Sequence, residues 1–478
     1  MTIASPPGII AELERIVGRE HVVTGRAALG VYELDASDEA ITGIHRPLAA
    51  VLPATTEEVA AVARVAAEHD LPILARGSGT GLAGGAIATR GGIMVVTARM
   101  NRIEEVNLTD RYAVVQPGVI NLDLSAHLAP HGFYYAPDPS SQRACSIGGN
   151  LGNNSGGPHC LKYGVTNNHV LGVELVLPGG EVCWFGGPSA ENPGHDLTGL
   201  IVGSESTLGV ITKAMVRILP LPEEKGVLLA AFASMEDASR AVSAAIAEGI
   251  IPSALEMMDK VTISAVEAGI GAGYPRDAEA VLLVELDGPS SSVAEERERV
   301  AELLSEFGAL NVRVARTAAE ADLLWWGRKA AFGAMGRLAP NYHLTDTVVP
   351  RSKLPEAMRL VGEVAEEFDL TIANVFHAGD GNLHPLILFD RRQPGIMERV
   401  LEASKVLMQH CIDLGGAVSG EHGIGIEKND ALRLMYSETD FGEMAKAKRA
   451  FDPRNLANPG KLFPSDYDPY AGLEGAAS

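Results

Sequence analysis

Arg76-Gly-Ser-Gly-Thr-Gly-Leu-Ala-Gly-Gly85 is the stretch that decides which kind of nucleotide fold the chain adopts. It contains Gly79-x-Gly81-x-x-Gly84, a nominal dinucleotide fingerprint. That fingerprint requires a helix directly after the loop and an acidic residue about 20 positions further on. Here only Ala86-Ile-Ala-Thr-Arg90 separates the loop from Gly91-Gly92, too few residues for a crossover helix. The strand-like run that follows ends Val96-Thr-Ala-Arg99 without an acid. A nicotinamide site does not fit. Five glycines in nine residues, with Ser78 and Thr80 among them, instead suit a nest of backbone N–H groups round a pyrophosphate, with Arg76 nearby. A flexible turn is the alternative.

Upstream of the loop, residues 9–17 predict a helix. Residues 48–52 read as a strand, Thr55 as the N-cap of a helix running to His69-Asp70, and residues 71–75 as a second strand. Short strands are expected over 93–97, 103–106, 112–116, 170–177 and 210–218. Between them, Pro137-Asp-Pro-Ser-Ser-Gln and Ser146-Ile-Gly-Gly-Asn-Leu-Gly-Asn-Asn-Ser-Gly-Gly157 form a second glycine-rich block. Its small side chains let a large planar cofactor lie close to the main chain. Pro220-Leu-Pro222 marks a domain boundary. Beyond it strand, helix, strand recurs over 227–256, over 280–315 and again over 343–376. The repetition predicts an open sheet with helices on one face, of ferredoxin-like type.

Thr371-Ile-Ala-Asn-Val-Phe-His377 and Leu383-His-Pro-Leu-Ile-Leu-Phe389 read as strands joined by the turn Gly379-Asp-Gly-Asn382. Such a hairpin sets His377 and His384 opposite each other, about 5 Å apart at the backbone. Two imidazoles so placed suit a divalent cation, and Glu421 of Ser419-Gly-Glu-His-Gly-Ile-Gly425 could complete a two-His-one-carboxylate set. His422 would then be free to move protons. Imidazole–carboxylate sites accept Zn, Mn, Fe or Co. Surface histidines on a glycine-rich hairpin are the alternative.

With 478 residues, 46% of them hydrophobic, the chain can bury the cores of two or three domains. Its 39 Lys+Arg against 61 Asp+Glu give a net charge of −22, which argues against nucleic acid or anionic lipid as a partner. The apolar run from Gly226 is too short to span a bilayer, and the opening Met1-Thr-Ile-Ala-Ser-Pro-Pro predicts no signal peptide. Cys145, Cys160, Cys183 and Cys411 show no Cys-x-x-Cys spacing, which excludes an iron–sulfur cluster within the chain and points to a reducing, cytoplasmic setting.

The residues 76–85, 137–141, 146–152 and Gly203-Ser-Glu-Ser-Thr-Leu-Gly-Val-Ile-Thr212 resemble the flavin-binding domain of the vanillyl-alcohol oxidase type FAD-linked oxidases. His377-Ala-Gly-Asp-Gly-Asn-Leu-His384, residues 419–425 and Asn458-Pro-Gly-Lys461 resemble the C-terminal signature of the 2-hydroxy-acid branch. Leu255-Glu-Met-Met-Asp259 and the unbroken run 374–390 are most similar to the subfamily of bacterial FAD-linked glycolate oxidase subunits, with D-lactate and D-2-hydroxyglutarate dehydrogenases as alternatives.

The resemblance implies an α+β chain. Residues 1–222 would form a two-subdomain FAD-binding domain, 223–425 a ferredoxin-like cap with the substrate and metal sites, and 426–478 a segment returning to the FAD domain. It implies FAD contacts at Arg76, Gly77, Ser78, Gly79, Thr80, Gly81, Gly84, Pro137, Asp138, Ser146, Gly148, Gly149, Asn150, Gly152, Asn153, Glu205, Gly209, Ile211 and Asn458. Many relatives hold FAD through a histidine in the first glycine loop; this loop has none, which implies non-covalent FAD. His377, His384 and Glu421 would be metal ligands, His422 the base, and Arg328 of Trp325-Trp-Gly-Arg the anchor of the substrate carboxylate. The 2-hydroxyglutarate enzymes have a lysine where this chain reads His343-Leu-Thr-Asp, which favours a small mono-acid such as glycolate or D-lactate. The implied reaction is hydride transfer from the acid's Cα to flavin N5, giving the 2-oxo acid, with electrons leaving through a second flavin subunit and an iron–sulfur subunit. A metal-dependent hydrolase with a nucleotide-like ligand and a non-catalytic flavin scaffold are the rival readings.

Overall fold

The computed structural model describes residues 8–189 and 193–472. The opening heptapeptide, expected to carry no signal sequence, lies outside the described residues, as does the end of the polar tail. The chain forms two compact units. Unit 1 contains residues up to Gly156, Val165–Leu221 and the residues from Glu421 on; unit 2 contains Gly157–Gly164 and Pro222–Gly420.

Among the described residues unit 1 holds two larger sheets. The first has strands β1 (Val22–Val23), β2 (Ala49–Val51), β3 (Ile73–Arg76) and β4 (Ile93–Val96), in the order β1-β2-β4-β3, with β2 and β3 parallel to β4. The helix Thr56–Glu68 links β2 to β3. It starts where Thr55 Oγ1 accepts from the Glu58 amide at 3.2 Å. Its Val59, Val62 and Ala66 pack with Ile9, Leu13 and Val17 of the helix Ile9–Val17, both at helical spacing. The second sheet has β5 (Ile103–Asn107), β6 (Tyr112–Val115), β7 (Val170–Val176), β8 (Val182–Gly186) and β9 (Val210–Arg217), antiparallel in the order β5-β6-β9-β7-β8.

In unit 2, β10 (Glu224–Phe232), β11 (Ala254–Asp259), β12 (Ala280–Gly288) and β13 (Ala309–Val314) lie in the order β13-β10-β12-β11. Each neighbouring pair is antiparallel, so β10-helix-β11 and β12-helix-β13 are split βαβ units, the ferredoxin-like pattern. Later strands enlarge the sheet: β14 (Asn341–Leu344), β15 (Thr347–Val348), β16 (Thr371–His377), β17 (Asn382–Leu383) and β18 (Pro385–Phe389), with β16 pairing β11. One expectation is corrected here: helices cover both faces, not one. Leu228, Ala230 and Phe232 pack with Ala241, Val242, Val300 and Leu304 of one helix layer. Val227, Leu229 and Ala231 pack with Ile263, Val266 and Leu324, from the helices Lys260–Gly269 and Ala318–Lys329. The near-continuous apolar runs of these strands are what burial on both faces demands.

The C-terminal helix Glu438–Phe451 is tied into unit 1 by charge. Lys448 Nζ donates to Asp452 Oδ2 (2.9 Å), to the Thr207 carbonyl (2.9 Å) and to the Ala457 carbonyl (3.1 Å). Asp452, fully buried, also accepts the amides of Leu456 and Ala457. That turn places Asn458 so that its amide donates to the Ile73 carbonyl on β3. Asp452→Ala leaves a buried ammonium without its counter-ion, a loss of about 3–5 kcal/mol. Chemical denaturation should show the transition attributable to unit 1 at markedly lower denaturant; an unchanged midpoint would show that the pair contributes nothing.

Candidate active site

In unit 1 a cleft of about 590 Å³ opens between the two sheets' loops. Gly77 and Gly85 of the first glycine loop line it, as do Gly148, Gly149, Gly152 and Asn153 of the second block, together with Glu205, Gly209 and Ile211. Small residues are required here. A Cβ at Gly77 would lie 2.3 Å from Ser146 Oγ, and one at Gly148 would lie 2.5 Å from Pro117 Cβ. Gly152 is different, since a Cβ there would meet no atom within 4 Å and would occupy the cleft itself. The walls thus present backbone to whatever lies between them, as FAD requires.

Several of the other residues expected at the cofactor lie behind these walls and support them. Arg76 does not line the cleft; it runs beneath the loop, where Nη2 donates to the Val31 carbonyl and the guanidinium lies 5.9 Å from the Tyr32 ring centre. Gly79, at φ 72°, gives it room, since a Cβ there would sit 2.2 Å from Arg76 Nη2. Gly81 accepts the Ala36 amide, and Gly84 packs on Thr42 and Ile426. Ser78, Thr80 and Asp138 are outside the lining. Ser146 caps the helix Ile147–Asn153. Asn150 turns inward, accepting from Asn121 Nδ2, which also donates to the Pro137 carbonyl. Asn458 Nδ2 joins two loops by donating to the carbonyls of Gly85 (2.8 Å) and Glu205 (2.7 Å). Thr97, Pro117, Ser204 and Ser206 line the cleft without being among the expected contacts; the two serines belong to the flavin-like stretch 203–212, whereas no local pattern marks Thr97 and Pro117.

Glu205 is the charged residue of the wall. It and Ser206 have φ of 49° and 62°, a left-handed pair that non-glycine residues rarely adopt. Its carboxylate accepts the amides of Ile424 (2.7 Å) and Gly425 (2.9 Å). Burial raises its pKa, and those two amides with Lys461 oppose the rise. Lys461, whose Nζ donates to the Ile87 carbonyl, is itself lowered by burial to about 8. Just before Ile424, the His422 carbonyl accepts from Asn153 Nδ2 at 3.1 Å, so the expected base is joined to the wall of the cleft. Glu421 Oε1 stands 3.8 Å from His422 Nε2.

In unit 2, His377 and His384 are 2% exposed, with ring centres 5.1 Å apart and planes nearly perpendicular. They are not directly opposite. His377 is in register with Asn382 and Asn374 with Pro385, so the imidazoles are diagonal neighbours on one face of the hairpin. His377 Nδ1 lies 2.7 Å from Glu256 Oε1, and Glu256 Oε2 lies 2.6 Å from Arg328 Nη2. Arg328, expected to face substrate, is therefore 2% exposed with part of its guanidinium on an internal carboxylate. Asp346, fully buried, accepts from Ser419 Oγ (2.6 Å) and the Gly420 amide (3.1 Å), and its Oδ1 lies 3.6 Å from His384 Nε2. The donor set of His377 and His384, two buried imidazoles on adjoining strands, fits a borderline divalent cation. Neither Glu256 nor Asp346 was expected at the site.

Residues 221–462 match the family of FAD linked oxidases, C-terminal domain, and residues 47–186 match the FAD binding domain. The chain is 48% identical over 420 residues to the glycolate oxidase subunit GlcD of Escherichia coli (strain K12), covering 88% of this chain and 84% of that protein. It is 36% identical over 416 residues to a D-lactate dehydrogenase of Archaeoglobus fulgidus, covering 86% of this chain and 90% of that one. The crystal structure of p-cresol methylhydroxylase with substrate bound superposes with a TM-score of 0.80 at 18% identity, covering 96% and 97% of the two chains, which speaks to fold alone.

Replacing Gly152 with leucine puts a side chain into the cleft without straining the helix. Gly152→Leu should fold, by circular dichroism, yet purify without flavin absorbance; a normal flavin content would show that the cleft is not the cofactor's seat.

Proposed function

Because the chain belongs to the FAD-linked oxidases, we propose that it is the substrate-oxidising flavin subunit of a glycolate oxidase, converting glycolate, and also D-lactate, to the 2-oxo acid. The observation that carries this reading is the bond from Asn153 of the flavin cleft to the carbonyl of His422, which fixes the backbone of the expected base at the cofactor's seat. A dehydrogenase for D-lactate or D-2-hydroxyglutarate acting alone is the second reading, favoured by the likeness to the D-lactate enzyme.

Bound FAD supplies the acceptor for the hydride that leaves the substrate's Cα. His422 accepts the proton of the 2-hydroxyl group. Arg328 keeps the carboxylate oriented, since a guanidinium has five N–H donors and Glu256 engages only one edge of it. His377, His384 and Glu421 would hold a divalent cation, Zn, Mn or Fe, which would supply Lewis-acid polarisation of the hydroxyl. The flavin is non-covalent: the residues lining the cleft include no His, Cys or Tyr to carry a link. Acid precipitation should leave a colourless pellet and a yellow supernatant; a yellow pellet would refute this.

The electrons pass to a second flavin subunit and an iron–sulfur subunit. This accords with the word subunit in the relative's name and with four cysteines that lack cluster spacing. No helix among the described residues is long and apolar enough to cross a membrane. We place the chain in the cytoplasm, peripheral at the inner membrane through those partners.

The deciding experiment is anaerobic bleaching of bound flavin by glycolate, D-lactate, L-lactate and D-2-hydroxyglutarate. Glycolate and D-lactate should bleach it; bleaching by D-2-hydroxyglutarate alone would favour the second reading. His422→Ala should slow reduction by roughly 10²–10⁴, the usual span for a lost general base, with metal content intact. His384→Ala should lose metal and reduction together while keeping FAD. Loss of metal in the His422 variant would instead make that residue a ligand.

A further inference from the structure

Glu256 lies in the middle of β11, in a sequence of otherwise apolar neighbours, Ala254-Leu-Glu-Met-Met258. It is in register with His377 on β16, so the two side chains leave the same face of the sheet side by side. Along β11 that face also carries Ala254 and Met258, which belong to an apolar core. A carboxylate with no exposure at all is an expensive residue there. An apolar side chain would pack as well and avoid the desolvation cost, so stability gives a weak reason for it.

We propose that Glu256 is a positioning residue that serves both halves of the site: one oxygen sets the tautomer of His377 and the other anchors the charge of Arg328. The inference rests on the reading of His377 as a metal ligand and Arg328 as the carboxylate anchor. Its basis is the pair of contacts from one carboxylate, Oε1 to His377 Nδ1 at 2.7 Å and Oε2 to Arg328 Nη2 at 2.6 Å. A carboxylate only accepts hydrogen bonds. The proton of a neutral His377 is therefore on Nδ1, which donates to Glu256, and Nε2 keeps the lone pair that a cation needs. A carboxylate behind a ligating imidazole also strengthens it as a donor. Arg328 is a permanent cation, and the ion pair with Oε2 holds the guanidinium beside β11 through charge rather than through a hydrogen bond. Glutamine at 256 has nearly the same shape but no charge, so it cannot both accept from His377 and pair with the Arg328 cation.

The test uses the FAD-loaded protein after removal of metal with a chelator. Zn²⁺ is titrated into wild type and Glu256→Gln by calorimetry, and steady-state kinetics with glycolate follow at saturating Zn²⁺. The variant's dissociation constant should rise about 10–100-fold, the usual effect of losing a carboxylate behind a ligand. KM should rise more than kcat falls, a split that general loosening of the core would not produce. Equal Zn²⁺ affinity in the two proteins overturns the proposal. Should the variant fail to fold, ¹⁵N-histidine NMR of the metal-free wild type decides it, with the His377 signals identified by their loss in His377→Asn. A proton on Nδ1 supports the proposal and one on Nε2 overturns it. A wild type without affinity for Zn²⁺ would sink the metal reading instead, and the tautomer would still judge this one.

Discussion

The carboxylate of Glu205 is the point on which unit 1 depends. It is buried, it sits on a left-handed backbone, and it gathers the amides of Ile424 and Gly425. Those amides belong to the stretch that re-enters unit 1 at Glu421, after two hundred residues of other structure. Without a strong acceptor in the wall of the cleft, that glycine-rich stretch has little apolar surface to fix it. With it, His422 is delivered beside Asn153, and Asn458 and Lys461 close the same region by binding the carbonyls of Gly85, Glu205 and Ile87. The buried charge is stabilised by directed N–H groups and a nearby ammonium, the arrangement that makes burial tolerable.

Where burial follows periodicity, the sequence was easy to read. The helices Ile9–Val17, Thr56–Glu68 and Met235–Ala247 bury residues at helical spacing, and the split βαβ units follow from alternation of strand and helix. The failures share a cause. Ile147-Gly-Gly-Asn-Leu-Gly-Asn153 is helical with three glycines, the poorest formers after proline, and is held by the Ser146 cap and its packing rather than by propensity. Strand β8 exposes Val182 and Trp184, so its pattern faces the wrong way for a half-buried strand. The expectation of helices on one face of unit 2 conflicts with the strands themselves, since runs such as Val227–Phe232 and Ala280–Val284 are apolar on both sides. Two-sided strands require two covers.

The site divides along a similar line. His377 and His384 are seven residues apart, and a hairpin brings them together; local sequence suffices for that. Glu256 reaches His377 across 121 residues, through the order of strands in a sheet. Asp346 reaches Ser419 across 73. No spacing rule encodes such pairs, because register between distant strands is set by the whole apolar pattern. The glycines that form the cleft are visible in the sequence, but the direction of Arg76 is not: a guanidinium beside a phosphate loop can turn toward the ligand or underneath the loop, and here it turns underneath.

The chain passes between its units at Gly156, Gly164, Leu221 and Gly420, so neither unit is one stretch of sequence. The first excursion is short and charged. His159 Nε2 lies 3.0 Å from Glu285 Oε1, Lys162 Nζ donates to Asp287, and Tyr163 Oη donates to Asp287 Oδ2 at 2.8 Å, which fastens Gly157–Gly164 to strand β12. That segment follows directly on the helix whose Gly152 and Asn153 line the cleft. The last passage is equally direct, for Gly420 ends unit 2 and Glu421 begins the return. A cut at the proline pair 220–222 would therefore give two incomplete pieces. The first would lack the amides that satisfy Glu205, and the second would lack Lys162 and Tyr163, which donate to the buried Asp287. Buried carboxylates left without donors are among the costlier defects a fold can carry, so the discontinuous arrangement makes the two units depend on a single uninterrupted chain.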